Sequence, residues 1–139
     1  MGRIVVLAIV ESIEDLYRAQ RGEIPADQVR RIDIADALID TGATGLSLPK
    51  RMIAQLGLLP LRTRQAITTT GIQSVATFGA VRLTIEGRDC VCDVMEIDDA
   101  CPALIGQVPL ELMDFLVDPG RRKLIGNPAH GGQQVMELL

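Results

Sequence analysis

The capacity for chemistry is most evident in the run Leu38-Ile39-Asp40-Thr41-Gly42-Ala43-Thr44. An Asp that leaves an apolar strand is partly desolvated, and a like-charged neighbour makes its charged form still less favourable. Gly42 permits a tight turn whose amides donate to the carboxylate, and the Thr41 hydroxyl can reach across to a second copy of the loop. These are the requirements of two carboxylates that share one proton and activate a water.

The chain contains no second Asp in a motif like that of Asp40. Only Asp40 is followed by Thr-Gly, and neither Thr-Gly nor Ser-Gly follows the other candidates, which are Asp33, Asp36, Asp89, Asp93, Asp98, Asp99, Asp114 and Asp118. A twofold axis brings the same patch of two subunits together. We therefore expect a homodimer in which each subunit supplies one Asp40.

The segments before and after this run predict an all-β, mainly antiparallel fold with one or two short helices. Strands are expected over 3–11 and 29–39, and residues 13–31 include a charged loop or short helix. Pro49 suits the first turn of a helix that Gly57 ends. Residues 64–97 are rich in Thr, Val and Ile and predict a meander, with turns at Thr70-Gly71 and at 86–88.

The C-terminal third predicts shorter elements. Residues 102–106 form an apolar strand ending in glycine, a brief helix follows, and Asp118-Pro119-Gly120 turns the chain between two further strands. Residues 127–139 have a loop-like composition and form a C-terminal tail. Its end, Val135–Leu139, is suited to a final strand or to pairing with a partner chain. We expect residues 1–139 to make one domain, as the length of 139 residues suggests.

Composition and charge narrow the function classes. The net charge of −4 and the scattered basic residues give no concentrated nucleic-acid footprint. The apolar run 4–10 is too short to span a bilayer and leads directly into acidic residues, so we expect a buried strand and a cytoplasmic protein without membrane contact. Cys90, Cys92 and Cys101 have no metal-site spacing, so reduced structural thiols and no metal are expected. His130, the only histidine, is expected in an exposed loop.

These motifs resemble those of the retropepsin-like, or clan AA, aspartic peptidases. Asp40-Thr41-Gly42-Ala43 is similar to their active-site motif, Leu104-Ile105-Gly106 to the strand that packs beneath it, and Thr70-Gly71 to the tip of their flap. The resemblance covers most of the chain, and the order of elements is closest to that of small bacterial members. It implies a closed acid-protease barrel with one lobe per chain.

The resemblance also implies roles for individual residues. Catalysis would rest on Asp40, Thr41 and Gly42, with no cofactor or metal. A peptide or protein substrate would lie against the remaining residues, which are Ala43, Thr44, Thr70, Gly71, Ile72, Ile105 and Gly106. Viral members have an acidic residue and an Arg, joined in a salt bridge, where this chain has Thr44 and Gln107.

Three alternatives remain for the Asp40 run. It can be a buried Asp that caps its own turn in a β protein, or part of an inactive clan AA domain used for peptide binding or dimerisation. The sequence Asp-Thr-Gly-Ala-Thr-Gly also suits a phosphate-gripping loop of the actin and sugar-kinase type, although that fold needs two large domains. Residues 68–70 likewise remain open between plain strand and flap.

Overall fold

The computed structural model describes residues 3–138 and is mostly β-sheet. The strands are β1 Val5–Ser12, β2 Arg31–Ile39, β3 Leu46–Pro49, β4 Leu59–Thr68, β5 Gly71–Ile85, β6 Arg88–Ile97, β7 Leu104–Ile105, β8 Phe115–Asp118 and β9 Lys123–Gly126. The α-helices are α1 Ile13–Gln20, α2 Lys50–Leu56 and α3 Gln107–Leu112. The predicted β class with short helices is confirmed. Of residues 13–31, where a charged loop or short helix was expected, Ile13–Gln20 form α1.

Six strands of the main sheet form a ring. The hydrogen-bonded order is β1-β2-β7-β3-β6-β5-β4, and β1 also pairs with β5. Most neighbours are antiparallel, but β7 runs parallel to β2, and β3 runs parallel to β6. The ring matters for function because it brings β2 and β7, which are distant in sequence, side by side.

The interior of the ring is the hydrophobic core. It is aliphatic, as the composition predicts, with Leu48, Leu83 and Ile105 completely buried. Cys90 is buried at its edge, Cys92 is half-buried on the same face of β6, and Cys101 is exposed; all three thiols are free. No helix within residues 3–138 is long and apolar enough to cross a membrane.

The hairpin of β4 and β5 extends beyond the ring. β5 pairs with β6 only from Thr77 onward, so its first part, residues 71–76, pairs with β4 alone. The predicted turn is present between Thr68 and Gly71, and Gly71 has the positive φ of 116° that favours glycine. The hairpin is thus a two-stranded arm, and β4 forms its outer edge.

Local signals set the bounds of the first two helices. The Ser12 hydroxyl accepts a hydrogen bond from the Asp15 amide, which caps α1 where β1 ends. Pro49 precedes the first residue of α2, and Gly57 ends that helix in the left-handed conformation with φ of 63°. Both bounds of α2 were predictable from the residue types.

An ion pair holds α1 to the start of β2. The Asp15 side chain, only 2% exposed, accepts hydrogen bonds from the Arg30 guanidinium at 2.7 and 2.9 Å and from the Arg30 amide at 3.0 Å. The same guanidinium lies against Gly57, where a Cβ atom would come within 1.7 Å of it. The hydrogen bonds from Arg30 hold the pKa of Asp15 below its ordinary value.

We predict that Asp15→Asn lowers the free energy of unfolding at pH 7 by about 1–3 kcal/mol, since it removes a charged acceptor from a buried site. The stabilisation is present above the ordinary Asp pKa of 3.8. It is lost as the pH falls through the lower pKa of the folded state. Urea unfolding from pH 7 to pH 3 should therefore show the difference between wild type and variant shrinking below about pH 4.

The matched control is Asp33→Asn, because Asp33 pairs with Arg31 on the surface, where both side chains are more than half exposed. An exposed pair contributes about 0–1 kcal/mol. Equal losses in the two variants would contradict the structural role given to Asp15.

The C-terminal segment is anchored on Asp114. Its carboxylate accepts hydrogen bonds from His130 Nδ1 at 2.6 Å, from the Val135 amide at 3.1 Å and from Asn127 at 3.2 Å. His130 Nε2 lies 3.2 Å from Glu137. The expectation that His130 is an exposed loop residue is therefore wrong: its side chain is only 19% exposed, because two carboxylates flank it. Residues 135–138 form no strand, and Leu139 lies outside the described residues.

We predict that the His130 pKa lies above its ordinary value of 6.5, because Asp114 and, secondarily, Glu137 stabilise the imidazolium. The stabilisation is full below pH 6.5 and is lost as the pH rises through the pKa of the folded state. His130 is the only histidine, so its imidazole proton resonances can be titrated by NMR without assignment. Asp114→Asn should lower the pKa more than Glu137→Gln does. A wild-type pKa at or below 6.5 would rule out this arrangement.

Candidate active site

Asp40 lies at the end of β2, half-buried, where the strand leaves the ring and turns. Its Oδ1 accepts a hydrogen bond from the Gly42 amide at 3.0 Å, and its carbonyl accepts one from the Ala43 amide at 3.0 Å. Within the described residues, Oδ2 accepts no hydrogen bond. One carboxylate oxygen therefore orients the side chain, and the other remains available to a water or a ligand.

The short strand β7 holds both arms of the loop 40–45. On one side it pairs in parallel with β2, with Ile39 opposite Ile105, and the Asp40 amide donates to the Ile105 carbonyl at 2.9 Å. On the other side it pairs antiparallel with β3, with Leu46 opposite Ile105. The two ends of the loop are fixed against the same two residues, so the position of Asp40 depends on β7.

Gly106 completes this arrangement and is buried directly beneath the loop. Its amide donates to the Gly45 carbonyl at 2.9 Å. A Cβ atom at this position would lie 2.6 Å from the carbonyl oxygens of both Ala43 and Gly45. The glycine is thus required by the close approach of two backbone segments, which explains its place in the predicted motif.

A backbone link joins the Asp40 loop to the start of α3. The Gln107 amide donates to the Ala43 carbonyl and the Val108 amide to the Thr44 carbonyl, both at 2.9 Å. The Gln107 side chain instead bonds to Glu111 at 3.1 Å. The start of α3 and the Asp40 loop are therefore joined without a charge pair.

The structure brings together seven of the predicted site residues: Asp40, Thr41, Gly42, Ala43, Thr44, Ile105 and Gly106. The other three, Thr70, Gly71 and Ile72, lie at the tip of the hairpin. Their side-chain hydrogen bonds stay within that hairpin, for example from Gln73 to the Thr70 hydroxyl at 2.7 Å. Ile72 and its cross-strand neighbour Ile67 are 72% and 89% exposed. Ile67 and Ile72 are therefore exposed to solvent at the tip. None of these side-chain hydrogen bonds joins the tip to the Asp40 loop.

Sequence reasoning missed a cavity that adjoins Asp40. It measures about 520 Å³ and is lined by Arg3, Ile4, Leu38, Ile39, Asp40, Thr41, Val117, Pro119 and Arg122. The end of β8 supplies Val117, and the turn between β8 and β9 supplies Pro119 and Arg122, all from far along the sequence. No local pattern signals that this turn lies beside Asp40, because the placement depends on the tertiary fold.

Within residues 3–138, no three side chains of His, Cys, Asp or Glu lie close enough together to hold a metal ion. Thr41 is exposed beside Asp40, and its hydroxyl has no hydrogen-bond partner in the described part of the chain. The available chemistry is therefore that of a carboxylate, a hydroxyl and backbone amides.

A ring of β-strands with an Asp loop held over a strand that ends in glycine defines the acid-protease class of fold. Comparison with protein families agrees: the family described as aspartyl protease matches residues 31–108, which is more than half of the chain. The chain belongs to this aspartyl protease family. Its matched part contains the Asp40 loop, the hairpin and Gly106. A comparison with curated proteins gave no match.

We predict that Gly106→Ala destabilises the protein by about 1–3 kcal/mol, since the added methyl group overpacks a site bounded by backbone rather than by flexible side chains. The measurement is the urea unfolding midpoint. Gly120→Ala is the matched control, because a Cβ atom there comes no closer than 3.5 Å to its nearest neighbour, Asp118. An unfolding midpoint for Gly106→Ala equal to that of Gly120→Ala would disprove the proposed backbone contact.

Proposed function

We propose that this chain is one subunit of a homodimeric aspartic endopeptidase, in which two Asp40 carboxylates hold and activate a water that hydrolyses a peptide bond. The observation that carries the proposal is the Asp40 loop itself. Its carboxylate is oriented by the Gly42 amide through one oxygen, is free at the other, and is fixed from below by Gly106. Membership of the aspartyl protease family supports the same conclusion.

The reaction requires that one Asp40 of the pair is ionised and the other is protonated. Two Asp groups a few ångströms apart cannot both ionise easily, so the pair holds one shared proton. The ionised Asp40 takes a proton from the water as it attacks the carbonyl carbon, and the protonated Asp40 donates to the developing oxygen, which gives a tetrahedral intermediate. When this intermediate collapses, the C–N bond breaks, one Asp40 donates its proton to the leaving nitrogen, and the other takes back a proton from a hydroxyl group as the carboxyl product forms. No cofactor takes part in this scheme.

The dimer follows from the count of carboxylates, since one chain has a single Asp-Thr-Gly loop. The exposed Thr41 hydroxyl, next to Asp40 and without a partner among the described residues, is placed to bond across a twofold axis. The Asp40 loop would then lie at the centre of the interface. Each subunit alone would contain half of an active site.

The hairpin supplies a means of holding an extended peptide. β4 is an edge strand, so the amides and carbonyls on its outer side are available for pairing in the β-addition mode. The exposed Ile67 and Ile72 at the tip can cover apolar side chains of a bound peptide. Backbone pairing would then provide affinity, and the side-chain contacts would provide selectivity.

A non-catalytic peptide-binding or dimerisation module is the second candidate. The observation that favours it is the absence of a charge pair between Thr44 and Gln107, where viral relatives have the salt bridge that supports their dimer. A weak dimer would leave two Asp40 loops apart and the hairpin still able to bind a peptide. The phosphate-gripping loop is not supported, because this ring of strands is not the two-domain fold that such a loop needs.

We predict that Asp40→Asn lowers kcat/KM for peptide hydrolysis at least about a hundredfold, because the amide can neither accept nor return the proton. Cleavage is measured on a peptide library by mass spectrometry. Asp36→Asn is the control, since Asp36 is exposed on the same strand. Equal cleavage by wild type and Asp40→Asn would exclude the peptidase assignment.

The shared site is tested by refolding wild type and Asp40→Asn together at equal amounts. If one site needs Asp40 from both chains, random association leaves about a quarter of the wild-type activity, whereas independent sites leave about a half. Sedimentation at the assay concentration shows whether dimers are present. A chain that binds peptides, remains monomeric and never cleaves would establish the binding module instead.

A further inference from the structure

The cavity beside Asp40 has an unusual lining. Two arginines, Arg3 and Arg122, lie at its wall together with apolar side chains and Thr41, and Asp40 is the one acidic residue among those that line it. We propose that this cavity is a carboxylate-binding subsite, in which Arg3 and Arg122 hold an acidic side chain of a peptide substrate next to the scissile bond. This inference rests on the proposed function of Asp40.

The two arginines are exceptional in their lack of partners. Most arginines of the described chain pair with a carboxylate: Arg18, Arg21, Arg30, Arg31, Arg51, Arg62, Arg82 and Arg121. Arg88 instead donates to the backbone carbonyls of Met113, Asp114 and Gly132. Of the three that remain without such partners among residues 3–138, two line the cavity at Asp40 and the third is Arg64. Two of the three arginines without such a partner therefore line the same cavity.

The backbone at Arg122 supports a functional placement. Arg122 has a φ of 54°, in the left-handed region that residues other than Gly, Asn and Asp rarely adopt. It ends the turn that follows Pro119 and Gly120, so this conformation helps to determine where its side chain leaves the hairpin. A backbone outlier beside a cavity is a reason to look for a binding role.

The chemistry of the lining favours a carboxylate over an apolar or cationic side chain. An arginine presents a planar fork of donors that matches a carboxylate, and such charge-assisted hydrogen bonds are among the strongest in proteins. Without the arginines, Asp40 would repel a second carboxylate brought this close. The apolar residues Ile4, Leu38 and Val117 can contact the methylene groups of a Glu side chain.

The position of the cavity identifies which part of a substrate it would receive. Asp40 and Thr41 line it, but no residue of the hairpin tip does. An extended peptide that pairs with β4 and passes over Asp40 would direct a side chain into this cavity within a few residues of the cleaved bond. A preference for Glu or Asp at one such position is the expected specificity.

The test uses a pooled library of ten-residue peptides with a central reduced amide bond, which cannot be hydrolysed. Immobilised full-length protein captures the peptides, and mass spectrometry gives the enrichment of Glu over Gln at each of six positions around the reduced bond. Wild type should enrich Glu at one position about tenfold, which corresponds to about 1.4 kcal/mol. Arg3→Gln and Arg122→Gln should reduce this ratio, and the double variant should bring it close to one.

Arg31→Gln is the matched control. It removes the same charge at the opposite end of β2 from Asp40, and Arg31 is exposed. This variant should keep the wild-type enrichment. The comparison therefore separates the effect of net charge from the effect of the arginines in the cavity. Sedimentation of all the variants accompanies the capture experiment.

Four outcomes separate the possibilities. The subsite is overturned if wild type does not enrich Glu. It is also overturned if the double variant enriches Glu as strongly as wild type does. Both conclusions hold even if the protein cleaves ordinary peptides. Weaker dimers in the arginine variants with an unchanged Glu preference also overturn it and assign the pair to a carboxylate of the partner subunit. Enrichment that depends on both arginines supports the subsite. That last result stands even if peptides with an ordinary amide bond are never cleaved. In that case only the peptidase assignment fails.

Discussion

The contact on which the site depends is the close approach of the Gly106 backbone to the carbonyl groups of the Asp40 loop. No side chain fits between them, since even a Cβ atom would lie 2.6 Å from two carbonyl oxygens. The amides of residues 106–108 then bond to Gly45, Ala43 and Thr44 in turn. The loop is thus fixed by main-chain hydrogen bonds, whose geometry is independent of the identity of most loop side chains.

This contact joins two segments that lie about sixty residues apart, so the rest of the fold serves to bring them together. β7 has only two residues and lies between β2 and β3, and β3 in turn pairs with β6 and β6 with β5. The pairing of β1 with both β2 and β5 closes the ring. The long strand β5, at 15 residues, exceeds what the ring can pair, and its excess forms the hairpin arm.

The turns and helix ends that form the site could be predicted from the sequence more fully than the side-chain contacts around the site. The Asp40 turn, the helix ended by Gly57 and the hairpin at Gly71 are governed by residue types within a few positions, so local rules were sufficient. The Asp15–Arg30 pair, the contact of His130 with Asp114 and the cavity with Arg3 and Arg122 each unite residues separated by 15 or more positions. Such contacts leave no periodic pattern, and a basic side chain shows from sequence only its charge, not its partner.

The same distinction between local and long-range contacts bears on the proposed dimer. Within one chain the Asp40 loop is already held by Gly106 and by the backbone link to α3, so the loop does not need a second subunit to keep its shape. Among the described residues, the Thr41 hydroxyl and the free oxygen of Asp40 have no hydrogen-bond partner. In the proposed dimer, association would supply the second carboxylate, while the loop itself is held within each chain. A modest interface would suffice for this purpose, because it has to bring together two loops that are already formed rather than to build them.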